Sequence, residues 1–223
     1  MPCVEWPAHQ SLAASRGVMD DIRNKLLAIV ERYPTLHIVE DECIRGSLPI
    51  EEGGNELDRF SVEIDFSPLQ QGLLPKVSET GGRIPCHEDR HINVKDGTAC
   101  VCLPEDYFLR HPGPFDPVTF LDGPVRDFFI GQALVARGDP WPHGEWKHGD
   151  NGRKDWLDEF LKKQSPVELR TYLELLAHKE LKGHHLCPCG SHKKIRNCHL
   201  QFLKLLRTAI SPLTAKKILS RKP

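Results

Sequence analysis

Asp58-Arg59-Phe60-Ser61-Val62-Glu63-Ile64-Asp65-Phe66 alternates without a break. Phe60, Val62, Ile64 and Phe66 fall on one side; Ser61, Glu63 and Asp65 fall on the other. That period of two marks a strand with one face in a core and one in water, the signature of an antiparallel sheet. Upstream, His37-Ile38-Val39-Glu40 is short and β-branched, and Gly53-Gly54 and Gly81-Gly82 mark turns between strands. Earlier still, Val18, Ile22, Leu26, Ile29 and Tyr33 recur at helical spacing until Pro34 ends the pattern. The region up to Pro85 therefore reads as a helix followed by a meander of about three or four strands.

Pro85 to Pro117 reads as a long loop rich in Pro, His, Gly and charge, a kind of segment that tends to carry function. A helix is expected from Gly123-Pro124, with Val125, Phe128, Phe129 and Ala133 as its apolar stripe and Gly138 as its stop. Asp139 to Gly149 is irregular. Two further helices are expected at 152–163 (Trp156, Phe160, Leu161) and 166–179 (Leu169, Tyr172, Leu173, Leu176), and Gly183 breaks the second. A cysteine cluster and a short basic helical tail complete the chain. No internal repeat or low-complexity segment interrupts this order.

The 223 residues suffice for one good-sized domain, or for one domain with a small appendage. Thirty basic residues balance thirty-one acidic ones. That balance argues against broad, sequence-independent nucleic-acid binding, which needs a basic excess. Lys216, Lys217, Arg221 and Lys222 crowd the end of the chain and read as a solvated tail. No apolar run approaches the ~20 residues of a membrane span. Met1-Pro2-Cys3-Val4-Glu5-Trp6 lacks the regions of a signal peptide, so a cytoplasmic protein is expected. The eight cysteines then read as thiols or metal ligands rather than a disulfide framework.

Cys187-Pro188-Cys189-Gly190-Ser191-His192-Lys193-Lys194-Ile195-Arg196-Asn197-Cys198-His199 gives the strongest spacing signal. Two thiolates sit in a turn, and a Cys-His pair completes three sulfurs and one nitrogen, a set that suits tetrahedral zinc. All four ligands come from protein, so Zn2+ held by Cys187, Cys189, Cys198 and His199 is expected to be structural and to supply folding energy. The bland alternative is a set of free cysteines in a tail. The segment resembles the SEC-C motif, a small zinc module appended to many bacterial proteins, with His192 where a glycine is usual. That resemblance implies zinc and often a protein-docking role.

Cys100 and Cys102 follow the polar loop His91-Ile92-Asn93-Val94-Lys95-Asp96-Gly97-Thr98-Ala99. A thiolate can attack an acyl carbon to give a thioester, which an amine then attacks. A loop amide such as that of Asn93 can stabilise the oxyanion formed at each step. Other readings are open. Both cysteines could be small core hydrophobes on one face of a strand. Asn93 could cap a turn, and His91 could brace the loop. Cys86, His87, His91, Cys100 and Cys102 could form a second zinc site, although their spacings match no compact zinc pattern.

Over roughly residues 15–165 this order resembles the ubiquitin-conjugating enzyme fold. That family has an N-terminal helix, a four-stranded antiparallel meander, a His-Pro-Asn loop, a catalytic cysteine and further helices. His91-Ile92-Asn93 matches the loop with isoleucine in place of proline. Gly97 stands three residues before Cys100, as the family's glycine stands before its nucleophile. The family's Cys-Leu dipeptide occurs instead at Cys102-Leu103, so the two cues disagree, and the glycine spacing favours Cys100. Bacterial relatives resemble the chain more closely through Arg90-His91-Ile92-Asn93, Gly123-Pro-Val-Arg-Asp-Phe-Phe-Ile-Gly-Gln132 and the zinc module. Stand-alone members of that group occur in cyclic-oligonucleotide antiphage (CBASS) operons. The resemblance implies that the acyl donor is a protein C-terminus, such as that of a cGAS-like cyclic-oligonucleotide synthase, and that a lysine is the acceptor.

The expected architecture is thus α+β: a ubiquitin-conjugating-like catalytic domain over 1–165, with an antiparallel meander flanked by helices, and a helical extension with a zinc module over 166–223. The expected activity is thioester-forming acyl transfer. The chain has no glycine-rich phosphate-binding loop, so adenylation must occur elsewhere or be bypassed. One alternative is a cysteine hydrolase of peptide or isopeptide bonds using His87, His91 or His111 as base. Another is a non-catalytic, zinc-containing adaptor.

Overall fold

The computed structural model describes residues 12–40, 42–142 and 149–220, and the side chains of 12–21 and 149–151 are not considered. Val18 of the expected helical stripe therefore lies outside the described side chains, and Arg221 and Lys222 of the basic tail lie outside the described residues. The chain divides into two compact units: Met1–Val101 with Asp116–Pro140, and Cys102–Phe115 with Trp141–Pro223. The sequence alone suggests a boundary near 165 instead. The structure groups 141–165 with the C-terminal part because Trp156 and Phe160 join the aromatic core around Phe202.

The first unit is α+β. Helix α1 (Leu12–Arg32) precedes strands β1 (Leu36–Glu40), β2 (Cys43–Glu52), β3 (Asn55–Asp65) and β4 (Lys76–Glu79). The strands form one antiparallel sheet in the order β1-β2-β3-β4, a true meander. Ile44 pairs with Ile64, Gly46 with Val62 and Leu48 with Phe60, so the apolar residues line one face. They are buried together with Leu26 and Ile29 of α1. On the other face, Arg45 pairs with Glu63 and Ser47 with Ser61 in the strand register.

β2 is the strand that the sequence conceals, because Gly46 and Pro49 look like breakers. Each has a local reason. β1 pairs with β2 only as far as Gly46, so among the described residues Pro49 has no strand on that side to miss its N–H. Gly46 has φ 150°, and a Cβ there would stand 2.2 Å from the Thr35 carbonyl oxygen. Glycine is what lets the two backbones approach so closely.

The helix expected from Gly123 starts earlier. α3 (Pro117–Phe120) runs through a π-helical turn (Leu121–Val125) into α4 (Arg126–Ala136). Asp116 caps it by accepting from the Val118 N–H at 3.1 Å and the Thr119 hydroxyl at 2.7 Å. The wider π turn accommodates Pro124 inside the helix, which is why the sequence suggests a start there. Asp122 of that turn accepts from Tyr33 Oη at 2.5 Å and Arg32 Nε at 2.9 Å, tying it to the end of α1. Phe129 of α4 packs on Phe60 of β3 with ring centroids 4.9 Å apart.

The described part of the second unit is built mainly from helices: α2 (Pro104–Arg110), α5 (Gly149–Lys163), α6 (Pro166–Leu176), α7 (Leu200–Ala209) and α8 (Pro212–Ser220). α2 lies in what reads as loop. Its signals were Pro104 at the first turn, Glu105 and Asp106 after it and Arg110 at the end. Ser165 and Glu168 form a reciprocal capping box at the start of α6. Trp156, Phe160, Tyr172 and Phe202 pack edge to face or stacked into the core of this unit. None of the described helices is long and apolar enough to cross a membrane.

The close approach at Gly46 is testable. Gly46→Ala is expected to lower stability by about 1–3 kcal/mol through backbone strain and the Thr35 clash. A denaturant midpoint equal to that of the parent chain would contradict it.

Candidate functional site

Two clusters emerge, one in each unit. The first is built on the loop after β4. Ala99 N–H donates to the Val77 carbonyl at 2.7 Å, holding the loop to β4. Asn93 N–H donates to the Thr98 carbonyl, Gly97 N–H to the Asn93 carbonyl and Cys100 N–H to the His91 carbonyl, each at 2.8 Å. Gly97 takes φ 72°, the left-handed conformation that this tight return needs. His91 takes φ 51° and closes the short 3-10 turn Glu88–Arg90. Gln132 of α4 secures the same turn: its amide donates to the Arg90 carbonyl at 2.7 Å, and its oxygen accepts from Arg90 Nε at 3.0 Å.

These bonds place Cys100 beside Asn93. The Cys100 thiol donates to Asn93 Oδ1 at 3.1 Å, and Asn93 Nδ2 donates to Thr98 Oγ1 at 2.8 Å. The Thr98 hydroxyl donates to Asp96 Oδ1 at 2.7 Å. Asp96 in turn lies 3.6 Å from Lys76 Nζ on β4. The pairing of Cys100 and Asn93 expected from sequence is present, but its polarity differs. Asn93 offers sulfur its acceptor, whereas an oxyanion needs its donor. His91 supplies this cluster with its backbone carbonyl. Asp96 and Thr98 escaped the sequence reading; the signal was Asp96-Gly97-Thr98, an Asx-type turn in which Thr98 N–H donates to Asp96 Oδ1 at 3.2 Å.

Cys100 is an exposed residue on an irregular segment, so it is not a core hydrophobe of a strand. Its thiol is held above the ordinary range, first by desolvation, then by the Asp96 carboxylate and more weakly by Glu88; an Asn93 N–H given to a thiolate would oppose them, but here Nδ2 goes to Thr98 and the amide oxygen faces the sulfur. Asp96 itself lies below the usual carboxylate range because Thr98 donates to it from both hydroxyl and backbone. Cys102 belongs to the second unit and is half-buried; burial and then Asp106 push its thiol to about 12. Of the two cysteines, Cys100 is the accessible one.

The second cluster brings together the four residues expected as metal ligands. The ligand atoms of Cys187, Cys189, Cys198 and His199 all lie within 4.8 Å of one another, and they could hold a metal ion. Sulfur at ~2.3 Å and nitrogen at ~2.0–2.1 Å around tetrahedral zinc imply about 3.8 Å between sulfurs and about 3.5 Å between sulfur and nitrogen. Cys189 and Cys198 are 3.7 Å apart; Nδ1 of His199 is 3.3 Å from Cys187 and 3.2 Å from Cys198. The fit is good. Among the described residues this is the one such group, so Cys86, His87, His91, Cys100 and Cys102 do not gather into a second.

Local geometry explains the motif. Leu186 bridges Lys194, and Cys187 N–H donates to the Lys193 carbonyl at 2.8 Å. The turn between them needs left-handed backbone at Gly190 (φ 76°) and at His192 (φ 56°), which is why a second glycine would suit that position. Ser191 Oγ lies 3.1 Å from the Cys189 sulfur. Burial pushes the Cys189 thiol up, but hydrogen bonds from the Ser191 hydroxyl and N–H, joined by those from Cys187 and Cys198, together bring it down to about 6. His199 Nε2 lies 2.9 Å from the Leu109 carbonyl, so Nε2 carries the proton and Nδ1 is left for a metal. Gly113 N–H also donates to the Cys198 carbonyl at 2.7 Å. Both contacts tie the cysteine turn to α2 and the chain after it. Arg153 clasps the buried Glu105 of α2, and Trp156 Nε1 donates to Asp106 at 3.2 Å, tying α2 to α5 as well.

Comparison with protein-family models, curated proteins and solved structures gives no match to the chain.

The ties from Cys198 and His199 to Leu109 and Gly113 predict a metal effect on α2. Adding zinc to the metal-stripped chain is expected to slow amide exchange across Pro104–Gly113 and at the cysteine turn, but not in β2 and β3. His199→Ala should abolish that gain. Exchange across 104–113 that ignores zinc would contradict the coupling.

Proposed function

We propose that this chain is a cysteine-dependent conjugating enzyme of the ubiquitin-conjugating-like kind, with Cys100 as its nucleophile. The observation that carries the reading is the accessible Cys100 thiol, 3.1 Å from Asn93, on a loop pinned to the last strand of a four-stranded meander. The helix, meander, His-x-Asn loop, cysteine and further helices occur in the order that the resemblance implies. Zinc at Cys187, Cys189, Cys198 and His199 is structural in this reading. All four ligands come from protein and leave no open position, so zinc stabilises the second unit and supplies no reactive group.

In the proposed reaction the Cys100 sulfur attacks the carbonyl carbon of an activated protein C-terminus. The carbon–leaving-group bond breaks, and the thiol proton ends on the leaving group. A lysine amine then attacks the thioester, forming an amide and returning the thiol. Sulfur suits both steps because it attacks well and leaves well. Asn93 serves as oxyanion donor once its amide turns Nδ2 toward the carbonyl oxygen of the reacting acyl group. The acyl donor this reading favours is the C-terminus of a cGAS-like cyclic-oligonucleotide synthase, and the setting is bacterial antiphage defence.

A peptide α-thioester tests the chemistry without the native partner. Intact-mass measurement is expected to show transfer of the acyl group to Cys100, reversible with excess thiol. Cys100→Ala should reduce it by about a hundredfold or more, the scale of losing a nucleophile, while Cys102→Ala retains it. Release to water without transfer to added lysine would favour a hydrolase. No Cys100-dependent adduct at any pH would favour an adaptor.

A further inference from the structure

The cluster around Cys100 has a direction. A carboxylate can only accept, so the single proton of the Thr98 hydroxyl goes to Asp96 Oδ1 at 2.7 Å. Thr98 Oγ1 can then only accept from Asn93, at 2.8 Å. That bond engages one N–H of Asn93 and fixes the sense of its amide, so its oxygen faces the Cys100 sulfur at 3.1 Å. A carbonyl oxygen facing sulfur accommodates a thiol and opposes a thiolate. Each link dictates the next, from the anion outward.

We propose that Asp96, acting through Thr98, fixes the direction of this hydrogen-bond chain and holds Cys100 as a resting thiol with the Asn93 donors turned away. Thr98 and Asp96 are positioning residues: they act on the nucleophile only through Asn93. The charged groups that bear on the thiol are the carboxylates of Asp96 and Glu88, and Lys76 of β4 pairs with Asp96. Backbone bonds keep the loop in shape independently of the chain, because Asn93 N–H, Gly97 N–H and Cys100 N–H all bond to carbonyls. Reversing the chain therefore requires a half-turn of the Asn93 amide and a turn of the Thr98 hydroxyl proton from Asp96 to the Asn93 oxygen, with no loop movement. Formation of an oxyanion beside sulfur supplies the reason to turn, since the amide donors then gain a charged acceptor. The idle enzyme is thereby guarded against adventitious alkylation and oxidation, and it responds to an acyl donor. This deepens the reading of Cys100 as the nucleophile and rests on it for its biological sense.

The test follows iodoacetamide modification of Cys100 against pH by peptide mass, which needs no acyl donor. Thr98→Val removes the link to Asn93 and leaves the Asp96 charge in place. It is expected to move the Cys100 profile to lower pH by about one unit, about tenfold faster modification near neutral pH. Thr98→Ser should restore the parent profile. With Asn93→Ala as background, Thr98→Val should have no effect, because the chain is already cut. Asp96→Asn is the second variant if the valine substitution impairs folding; its shift should be larger with Asn93 present than with Asn93→Ala. An unchanged or slower profile in Thr98→Val overturns the proposal, as does equal acceleration in the Asn93→Ala background, which would signify only a loosened loop. If the profiles shift as expected but no acyl transfer to Cys100 occurs, the chain stands and the conjugating function falls.

Discussion

The Ala99–Val77 hydrogen bond is the constraint on which the candidate site depends. It carries the sheet's geometry across to a loop that has no regular structure of its own. Together with the bonds between Gln132 and Arg90, it gives the turn that closes Asn93 on Thr98 and Cys100 on His91 a fixed place on the fold. With it, the thiol and the amide are held relative to β4, whose own position follows from pairing Val77 with Ile64 in the buried face. A one-faced sheet thus acts as the rigid base for a flexible chemistry.

The second unit follows a different economy. Its aromatic cluster is small, and the cysteine turn is joined to it through His199, whose ring lies 6.0 Å from that of Phe202. The other ring nitrogen reaches Leu109, so a single histidine meets the ligand cluster, the core and α2. A metal at that point would complete the unit rather than decorate it. Glu105 shows the same pressure toward closure: it is a buried carboxylate tolerated because Arg153 meets it.

Much of this was legible in the sequence. Asp58–Phe66 announced β3 and its buried face because alternation survives any tertiary context. The spacing of Cys187, Cys189, Cys198 and His199 announced a ligand cluster because metal geometry leaves few options. What escaped had tertiary causes. Gly46 and Pro49 disguised β2, and only the short reach of β1 explains them. Pro124 suggested a helix start because a π turn cannot be read from periodicity. The proximity of Asn93 to Cys100 was readable from loop length, but its polarity was not. That polarity depends on Asp96, three residues further along and connected only through a hydroxyl.

The central claim is that Cys100 accepts a protein's C-terminus. Its most direct test replaces the labile thioester by an ester that survives isolation. Cys100→Ser, recovered from the native cell after expression at ordinary levels, should carry a polypeptide joined through its terminal carboxyl to the hydroxyl at position 100. Peptide mapping would show it, and mild base would release it. An unmodified position 100 in that variant, with the same polypeptide found bound non-covalently or not at all, would contradict the account.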